Sequence, residues 1–148
     1  MDFDVRFAST QRDLDAGYAL RRAVFEDEQH VPRWLDRDAL DFNADHVVAW
    51  DREGRCVGAG RIVRTDHRTC QIGRQVTAAD WRRRGVGAAI LEALERMAAL
   101  RGIAEVFVHS QLDAEPFYRA RGYEKEGERF DEHGVPHVRV RKLLPPLR

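Results

Sequence analysis

Cysteine is scarce in this chain, because only Cys56 and Cys70 occur among 148 residues. Two cysteines build neither a disulfide framework nor a thiolate metal site, which predicts a reducing compartment and no bound metal. No apolar run reaches the roughly 18 residues that a membrane span requires, and the first residues, Met1–Asp4, do not open a signal peptide. We therefore expect a soluble cytoplasmic protein with no membrane partner.

An excess of charge of either sign is also missing. The sequence has 25 basic and 25 acidic residues, and its isoelectric point is near 7.0. Nucleic-acid-binding domains usually carry a strongly basic patch or stripe, so this balance argues against a nucleic-acid partner. A chain of this length normally forms one domain, which we expect to cover residues 1–148 and to bury roughly 70% of the surface of the unfolded chain.

The hydrophobic pattern predicts an α/β fold with a mixed sheet of six to seven strands and three to four helices. Apolar segments predict strands at 3–7, 46–50, 56–64, 70–77, 105–109, 123–130 and 135–143. Helical spacing predicts helices at 10–32, 86–101 and 114–121, with one turn at most in 33–45. Thr10 and Asp113 are the expected caps of the first and third helices. Gly58 and Gly60 inside a strand indicate a bulge or a close backbone approach.

The segment between the fourth strand and the second helix has the composition of a phosphate-binding turn. Its residues are, in order, Arg82, Arg83, Arg84, Gly85, Val86, Gly87 and Ala88. Glycine permits positive φ and close backbone approach, and the first N–H groups of a helix are unpaired and carry the positive end of its dipole. Anions bind readily there, although the Walker spacing and the third glycine of the dinucleotide fingerprint are missing. These residues alone equally fit a flexible start of a surface helix with a solvated basic face.

With a second segment, Phe117–Tyr123, added to this pattern, the chain resembles the GNAT superfamily of acyl-CoA N-acetyltransferases. Arg82–Ala88 matches the family's Gln/Arg-x-x-Gly-x-Gly/Ala acetyl-CoA motif, and Phe117–Tyr123 matches its Phe-Tyr-x-x-x-Gly-Phe segment. The resemblance covers nearly the whole length, from the first strand to the last hairpin. It implies a GNAT-like fold with a splayed sheet, and an N-acetyltransferase that uses acetyl-CoA as co-substrate.

The resemblance also implies roles for particular residues. The backbone from Arg82 to Ala88 would hold the pyrophosphate of coenzyme A. A gap between the strand before this segment and the strand at Val106–His109 would receive the pantetheine arm, and Tyr118 would lie beside the thioester sulfur. The residues implied to border the arm are Val76, Thr77, Gln111 and Phe117.

The chemistry of acetyl transfer suggests what Tyr118 would do. A phenol has a pKa near 10, so Tyr118 stays protonated at pH 7 and can act as the acid that donates to the departing thiolate. The alternative is an aromatic residue that simply packs beside Phe117. Gln75 and Thr77 depart from the apolar strand end usual in the family, and they share one face of the strand. They are either inert edge residues or polar contacts in the acceptor site.

A proton acceptor is the second requirement, because a lysine-like amine has a pKa near 10.4 and neutralising it at pH 7 costs roughly 4.6 kcal/mol. A base within hydrogen-bond reach lowers that cost. Glu28, with Gln29 beside it, lies where the first predicted helix ends and borders the acceptor site in similar proteins. His137 on the last strand is the other candidate. The alternatives are a solvated helix end and an exposed hairpin histidine, and His46 equally fits a structural histidine.

The sequence has two further clusters of polar residues, one of aspartates and one of histidines. The acidic loop with Asp36, Asp38 and Asp41 suggests either a cationic acceptor or an ordinary solvated loop. A metal site made from His109, His133 and His137 is not predicted, because no thiolate or paired-carboxylate ligand set accompanies them.

The function predicted from these features is transfer of an acetyl group to a small-molecule or peptide amine by direct attack in a ternary complex. An activated cysteine is not evident, since Cys56 and Cys70 lie in predicted strands. One alternative is a coenzyme A-binding regulatory module without catalysis, and another is a nucleic-acid contact module that uses Arg82–Arg84. The resemblance also allows a homodimer, which the sequence does not determine.

Overall fold

The computed structural model describes residues 2–146, which form one seven-stranded sheet in the order β1-β2-β3-β4-β5-β7-β6. The strands are β1 (Phe3–Phe7), β2 (Asp45–Asp51), β3 (Cys56–Arg64), β4 (Thr69–Thr77), β5 (Glu105–Gln111), β6 (Glu124–Glu132) and β7 (Val135–Leu143). Neighbouring strands are antiparallel except for the parallel pair β4 and β5. The predicted mixed sheet is therefore confirmed.

Four α-helices accompany the sheet within residues 2–146: α1 (Gln11–Arg21), α2 (Arg33–Asp36), α3 (Val86–Leu100) and α4 (Glu115–Arg119). The predicted helical segment before Pro32 is not one regular α-helix, because α1 ends at Arg21 and continues directly as a π-helix at Arg22–Glu28. The predicted cap at Thr10 is confirmed, since its hydroxyl accepts the N–H of Asp13 at 3.1 Å. The predicted Asp113 cap is wrong, because Ala114 precedes α4 and makes no side-chain cap. None of the described helices is long and apolar enough to cross a bilayer.

Helix α3 lies close against β3 because that strand has two glycines. A Cβ atom on Gly58 would lie 2.5 Å from Val86 Cγ1, and one on Gly60 would lie 2.9 Å from both Ile90 and Leu94. Such distances leave no room for a side chain, so the predicted close backbone approach is confirmed. This packing fixes the amino end of α3 beside the carboxyl end of β4.

Helix α1 packs on the opposite face of the sheet, and the side of the helix that faces the sheet is largely polar. Leu14 and Tyr18 recur at helical spacing, yet the buried residues of α1 are Asp13, Gly17 and Arg21. Asp13 accepts the indole N–H of Trp50 at 3.1 Å and a guanidinium N–H of Arg6 at 2.8 Å. Buried charges need such partners, and here they come from β1 and β2.

A bulge in β4 changes which way its last residues face. Arg74 has a φ of +52°, and the β3–β4 register shifts at this place. Ile72 packs in the core beneath α3, whereas Val76 packs in the core beneath α1. Because alternation alone would put residues four apart on the same face, the extra residue has turned Gln75 and Thr77 toward α3.

The parallel strands β4 and β5 separate beyond this bulge. Their paired residues run only from Thr69 opposite Glu105 to Ile72 opposite Val108. After that point β4 pairs only with β3, and β5 pairs only with β7. A gap therefore opens between Gly73–Thr77 and His109–Gln111, as the splayed sheet of the prediction requires.

Candidate active site

The amino end of α3 forms an open, uncapped turn beside the gap. Gly85 occupies the N-cap position with a φ of +89° and makes no side-chain cap, and Arg83 also has a positive φ of +63°. The first N–H groups of a helix have no intrahelical acceptor. Since α3 has 15 residues, its dipole places partial positive charge at this end. The geometry is that of an anion site.

Gly87 keeps the space in front of this turn free. A Cβ atom there would lie 3.9 Å from both Phe117 Cζ and Thr77 Oγ1, so the missing side chain leaves a slot between the α4 aromatic ring and the end of β4. The free N–H donors and the positive end of the helix dipole suit a diphosphate group, and the open slot suits a narrow chain attached to it. Phe117 thus lies beside the glycine turn, and its contact with the pantetheine arm stays a prediction.

The three arginines of the turn have different surroundings. The guanidinium of Arg82 binds both carboxylate oxygens of Glu28 at 2.9 Å, and its Nε donates to the carbonyl of Thr77 at 3.3 Å. Arg84 lies over the ring of Trp81, 3.8 Å from its centroid. Arg83 makes no ion pair with any other residue in 2–146. Arg82 thus connects the π-helix to the turn at Arg82–Ala88, which we call the cradle.

This ion pair makes Glu28 a poor proton acceptor, contrary to the prediction. The two hydrogen bonds from Arg82 stabilise the charged carboxylate and lower the pKa of Glu28 below its ordinary value. A carboxylate with a lowered pKa is a weaker base. The sequence contains no sign of this partner, because Arg82 lies 54 residues away from Glu28.

The backbone assignment at the end of β4 needs a correction. The N–H of Ala78 donates to the carbonyl of Val57 at 2.9 Å, and hydrogen-bonding directions alternate along an antiparallel pair. The polar backbone groups of Val76 consequently face β3, and its side chain is buried beneath α1. Thr77 and Gln75 present their backbone groups to the gap instead, so these two residues, not Val76, can pair with an extended ligand.

Tyr118 lies on the α3 side of the gap and is only 8% exposed. Its hydroxyl oxygen accepts a hydrogen bond from Gln75 Nε2 at 2.5 Å, so Gln75 is a polar contact and not an inert edge residue. The phenol hydrogen therefore remains available for another acceptor. Burial raises the pKa of Tyr118 to about 12, although the Gln75 bond acts in the opposite direction.

The opposite face of β5 has a second set of polar side chains. Val106 and Val108 point toward α3, so alternation places His109 and Gln111 on the other face. The carboxylate of Glu132 lies between two imidazoles there, 3.1 Å from Nδ1 of His109 and 3.5 Å from Nε2 of His137. Gln111 is exposed at the end of β5. It therefore borders the gap on the face away from α3, and not on the Tyr118 side, where the prediction placed it.

His137 is itself buried, with 8% of its surface exposed. Its Nδ1 lies 2.7 Å from the carbonyl of Val135, and because a carbonyl only accepts, Nδ1 carries the hydrogen. Its Nε2 faces Glu132. Because only 8% of the residue is exposed and Nε2 is turned toward Glu132, an acceptor amine has little access to this nitrogen, which argues against the predicted role of His137 as the base. No cluster of three or more His, Cys, Asp or Glu in residues 2–146 could hold a metal ion.

Comparison with known proteins agrees with this geometry. A model of the acetyltransferase (GNAT) domain matches residues 8–144. The chain belongs to the GNAT acetyltransferase family. It is 34% identical over 141 residues to YjcF of Bacillus subtilis (strain 168), an uncharacterized N-acetyltransferase, with 91% of this chain and 96% of that protein covered.

Solved structures support the same assignment. An acyl-CoA N-acyltransferase from Pseudomonas aeruginosa is 27% identical, with a TM-score of 0.79 and coverage of 95% of this chain and 98% of that one. An aminoglycoside 6′-N-acetyltransferase in complex with coenzyme A has the same fold at 15% identity, with a TM-score of 0.77 and coverage of 100% and 99%. The GNAT fold that the sequence predicted is thereby confirmed.

The three carboxylates of the acidic loop of this GNAT protein are paired with arginine side chains, and two of them are buried. Asp36 and Asp41 are 1% and 7% exposed, and Asp41 accepts N–H groups of Arg21 at 2.8 Å and Arg61 at 2.9 Å. Asp38 binds Arg61 at 2.7 Å and Arg74 at 3.1 Å. Three guanidinium groups offset three carboxylates, so the loop offers no surplus negative charge to an acceptor. Its charges instead fasten α2 to the bulged part of the sheet.

A cavity of about 460 Å³ lies elsewhere, near the carboxyl end of α3. Its walls include Phe7, Phe42, Met97 and Arg101. Since Met97 is three turns along the helix from the uncapped glycine turn, this cavity is remote from the gap. The candidate active site is the open space between two separated strands, which has no closed wall of its own.

Proposed function

We propose that this GNAT protein transfers an acetyl group from acetyl-CoA to the primary amine of a small molecule or peptide. The observation that carries the proposal is the separation of β4 and β5 directly beside the uncapped amino end of α3, with Tyr118 on the wall of the gap. The uncapped end of α3 would hold a diphosphate, the gap between β4 and β5 would admit an extended chain, and the phenol of Tyr118 would act as the donor beside it. Acetyl-CoA has its diphosphate, pantetheine arm and thioester in the same order.

The glycine turn would hold the diphosphate through its N–H groups, and Arg83 would add mobile charge. The edge of β4 at Gln75 and Thr77 would pair with the amides of the pantetheine arm as another strand would. Thr77 has an N–H facing the gap, and a strand-end N–H can polarise a thioester carbonyl. When bound, acetyl-CoA supplies the activated acetyl group.

Tyr118 would stabilise the departing sulfur. Its oxygen already accepts from Gln75, so its hydrogen can point to the sulfur position. Burial raises the pKa of Cys56 to about 11 and that of Cys70 above its ordinary value. Neither cysteine therefore has appreciable thiolate at neutral pH, which favours direct attack by the amine over an acyl-enzyme route.

Thiol release from acetyl-CoA, measured against polyamines, amino acids, aminoglycosides and lysine peptides, tests the proposal. We expect amine-dependent release with at least one acceptor, and calorimetric binding of coenzyme A to the free protein. Binding without release by any amine would indicate the coenzyme A-binding regulatory module instead. Absence of both would refute the proposal.

A further inference from the structure

We infer that His109 is the proton acceptor of the reaction and that Glu132 is its positioning residue. This assignment rests on the proposed acetyl transfer and adds the residue that neutralises the acceptor amine. Neither candidate from the sequence suits that task, because Arg82 lowers the pKa of Glu28 and the Nε2 of His137 is buried against Glu132.

The tautomer of His109 follows from its contact. A carboxylate only accepts hydrogen bonds, so the 3.1 Å contact between Nδ1 of His109 and Oε1 of Glu132 requires the hydrogen on Nδ1. The neutral ring then has its lone pair on Nε2. A carboxylate that holds Nδ1–H and leaves Nε2 free is the arrangement that orients a histidine base in hydrolytic enzymes.

The ring of His109 is also held in place by aromatic neighbours. Its centroid lies 5.7 Å from that of Phe107 and 5.1 Å from that of Phe130, and Phe130 stacks on His137 at 6.0 Å. The side chain nevertheless remains 27% exposed, compared with 10% for His137. His109 is therefore fixed in orientation while a substrate can still reach it.

The position of His109 relative to the gap supports the same role. The last residue of β5 that pairs with β4 is Val108, so His109 is the first residue at the opening. It lies on the face away from α3, whereas Tyr118 packs on the α3 side. An amine entering from the His109 face would meet a base on one side of the acetyl carbon and the phenol donor on the other.

The proton balance is complete with these groups. The acceptor ammonium loses one proton to Nε2 of His109, which then passes it to solvent, and the neutral nitrogen attacks the acetyl carbon. The new N–C bond forms, the C–S bond breaks, and the second nitrogen proton ends on the sulfur.

The substitution His109→Phe tests the inference, because a phenyl ring keeps the packing against Phe107 and Phe130. We expect kcat/KM for a lysine-like amine to fall by roughly 100-fold or more, as for loss of a general base, with coenzyme A binding by calorimetry unchanged. An acceptor of low basicity is already neutral at pH 7, so its rate should fall far less. His46→Phe is the matched control, since His46 is a half-buried strand histidine with an aromatic neighbour, Tyr18, at 5.6 Å.

Two measurements separate the assignment from a structural role. NMR of the imidazole nitrogens in the free protein should show His109 protonated on Nδ1, and Glu132→Ala should abolish this preference and lower kcat with little change in KM. An equal loss for strongly and weakly basic acceptors, or full activity of His109→Phe, would overturn the inference alone. Absence of turnover in the wild type with every amine would overturn the proposed function and the inference with it.

Discussion

Replacement of Tyr118 by phenylalanine removes one oxygen atom from the wall of the gap. The ring keeps its edge contacts with Phe117 and Tyr123, whose centroids lie 5.1 and 5.5 Å away. Gln75 loses the acceptor of its 2.5 Å hydrogen bond, so we expect a loss of roughly 1 kcal/mol in the free energy of unfolding. The principal effect should be on turnover.

The size of that effect follows from the pKa of the phenol. Burial raises the pKa of Tyr118 to about 12, whereas a free thiol has a pKa near 8.5. Complete proton transfer to the leaving thiolate would be uphill by about 5 kcal/mol. Tyr118 should therefore stabilise the sulfur as a hydrogen-bond donor that keeps its proton, an interaction with a charged group that is worth roughly 1.5–3 kcal/mol. The expected loss in kcat is about 10- to 150-fold.

The assay is thiol release under saturating acetyl-CoA, with coenzyme A affinity measured separately by calorimetry. Tyr123→Phe is the matched control, because Tyr123 is also buried, and its hydroxyl donates to Glu95 at 2.8 Å away from the gap. This control should lose stability and retain kcat. If kcat of Tyr118→Phe equals that of the wild type, or if both variants lose it equally, the assigned role of the phenol is refuted.

Three further outcomes follow from the same geometry. Gly85→Ala and Gly102→Ala each force a residue with a Cβ into positive φ, so both variants should lose roughly 1–2 kcal/mol of unfolding free energy. Only Gly85→Ala should weaken coenzyme A binding in calorimetry. Equal affinity of the two variants would contradict the proposed binding of the diphosphate at the cradle. Gln75→Glu introduces a carboxylate that must accept the Tyr118 proton, so kcat should fall while cofactor affinity persists; unchanged turnover would argue against this contact. The Arg21 hydrogen bonds and charge offset the burial of Asp41 and lower its pKa to about 2 from 3.8, so about 2 kcal/mol of stability is present above pH 3.8 and is lost as the pH falls toward 2. Urea unfolding across this range should show that slope in the wild type and a weaker one in Asp41→Asn.

The sequence predicted those features of the fold that local chemistry determines. Strand alternation located all seven strands, and the glycine turn located the start of α3 at Val86. The bulge at Arg74 escaped prediction because a non-glycine residue with positive φ leaves no compositional mark. The buried side of α1 escaped because Arg21 finds its carboxylates 15 and 20 residues away, and such partners are set by tertiary packing.

The candidate site shows the same division. Motifs alone suggested roles for Tyr118 and for the turn at Arg82–Ala88, and these roles stay predictions, whereas the sequence predicted a turn after residue 130 that includes Glu132 and suggested no role for that residue. The structure extends β6 to Glu132 and shortens the turn to His133 and Gly134, both with positive φ. A histidine and glycine pair between two alternating strands is compatible with a two-residue hairpin turn. That register would have placed Glu132 beside the strand of His137.

Two faces of one sheet can cooperate in this molecule only where the hydrogen-bond ladder between β4 and β5 is broken. Side chains alternate along a strand, so β5 presents Val108 to the α3 side and His109 to the other. With an intact ladder, the backbone would separate the phenol of Tyr118 from the imidazole of His109. The bulge at Arg74 is fastened by its guanidinium to the carbonyls of Leu35 at 2.7 Å and Asp36 at 2.9 Å. We therefore expect the contacts between Arg74 and α2 to stabilise the bulge and, with it, the separation of β4 from β5 on which the proposed function depends.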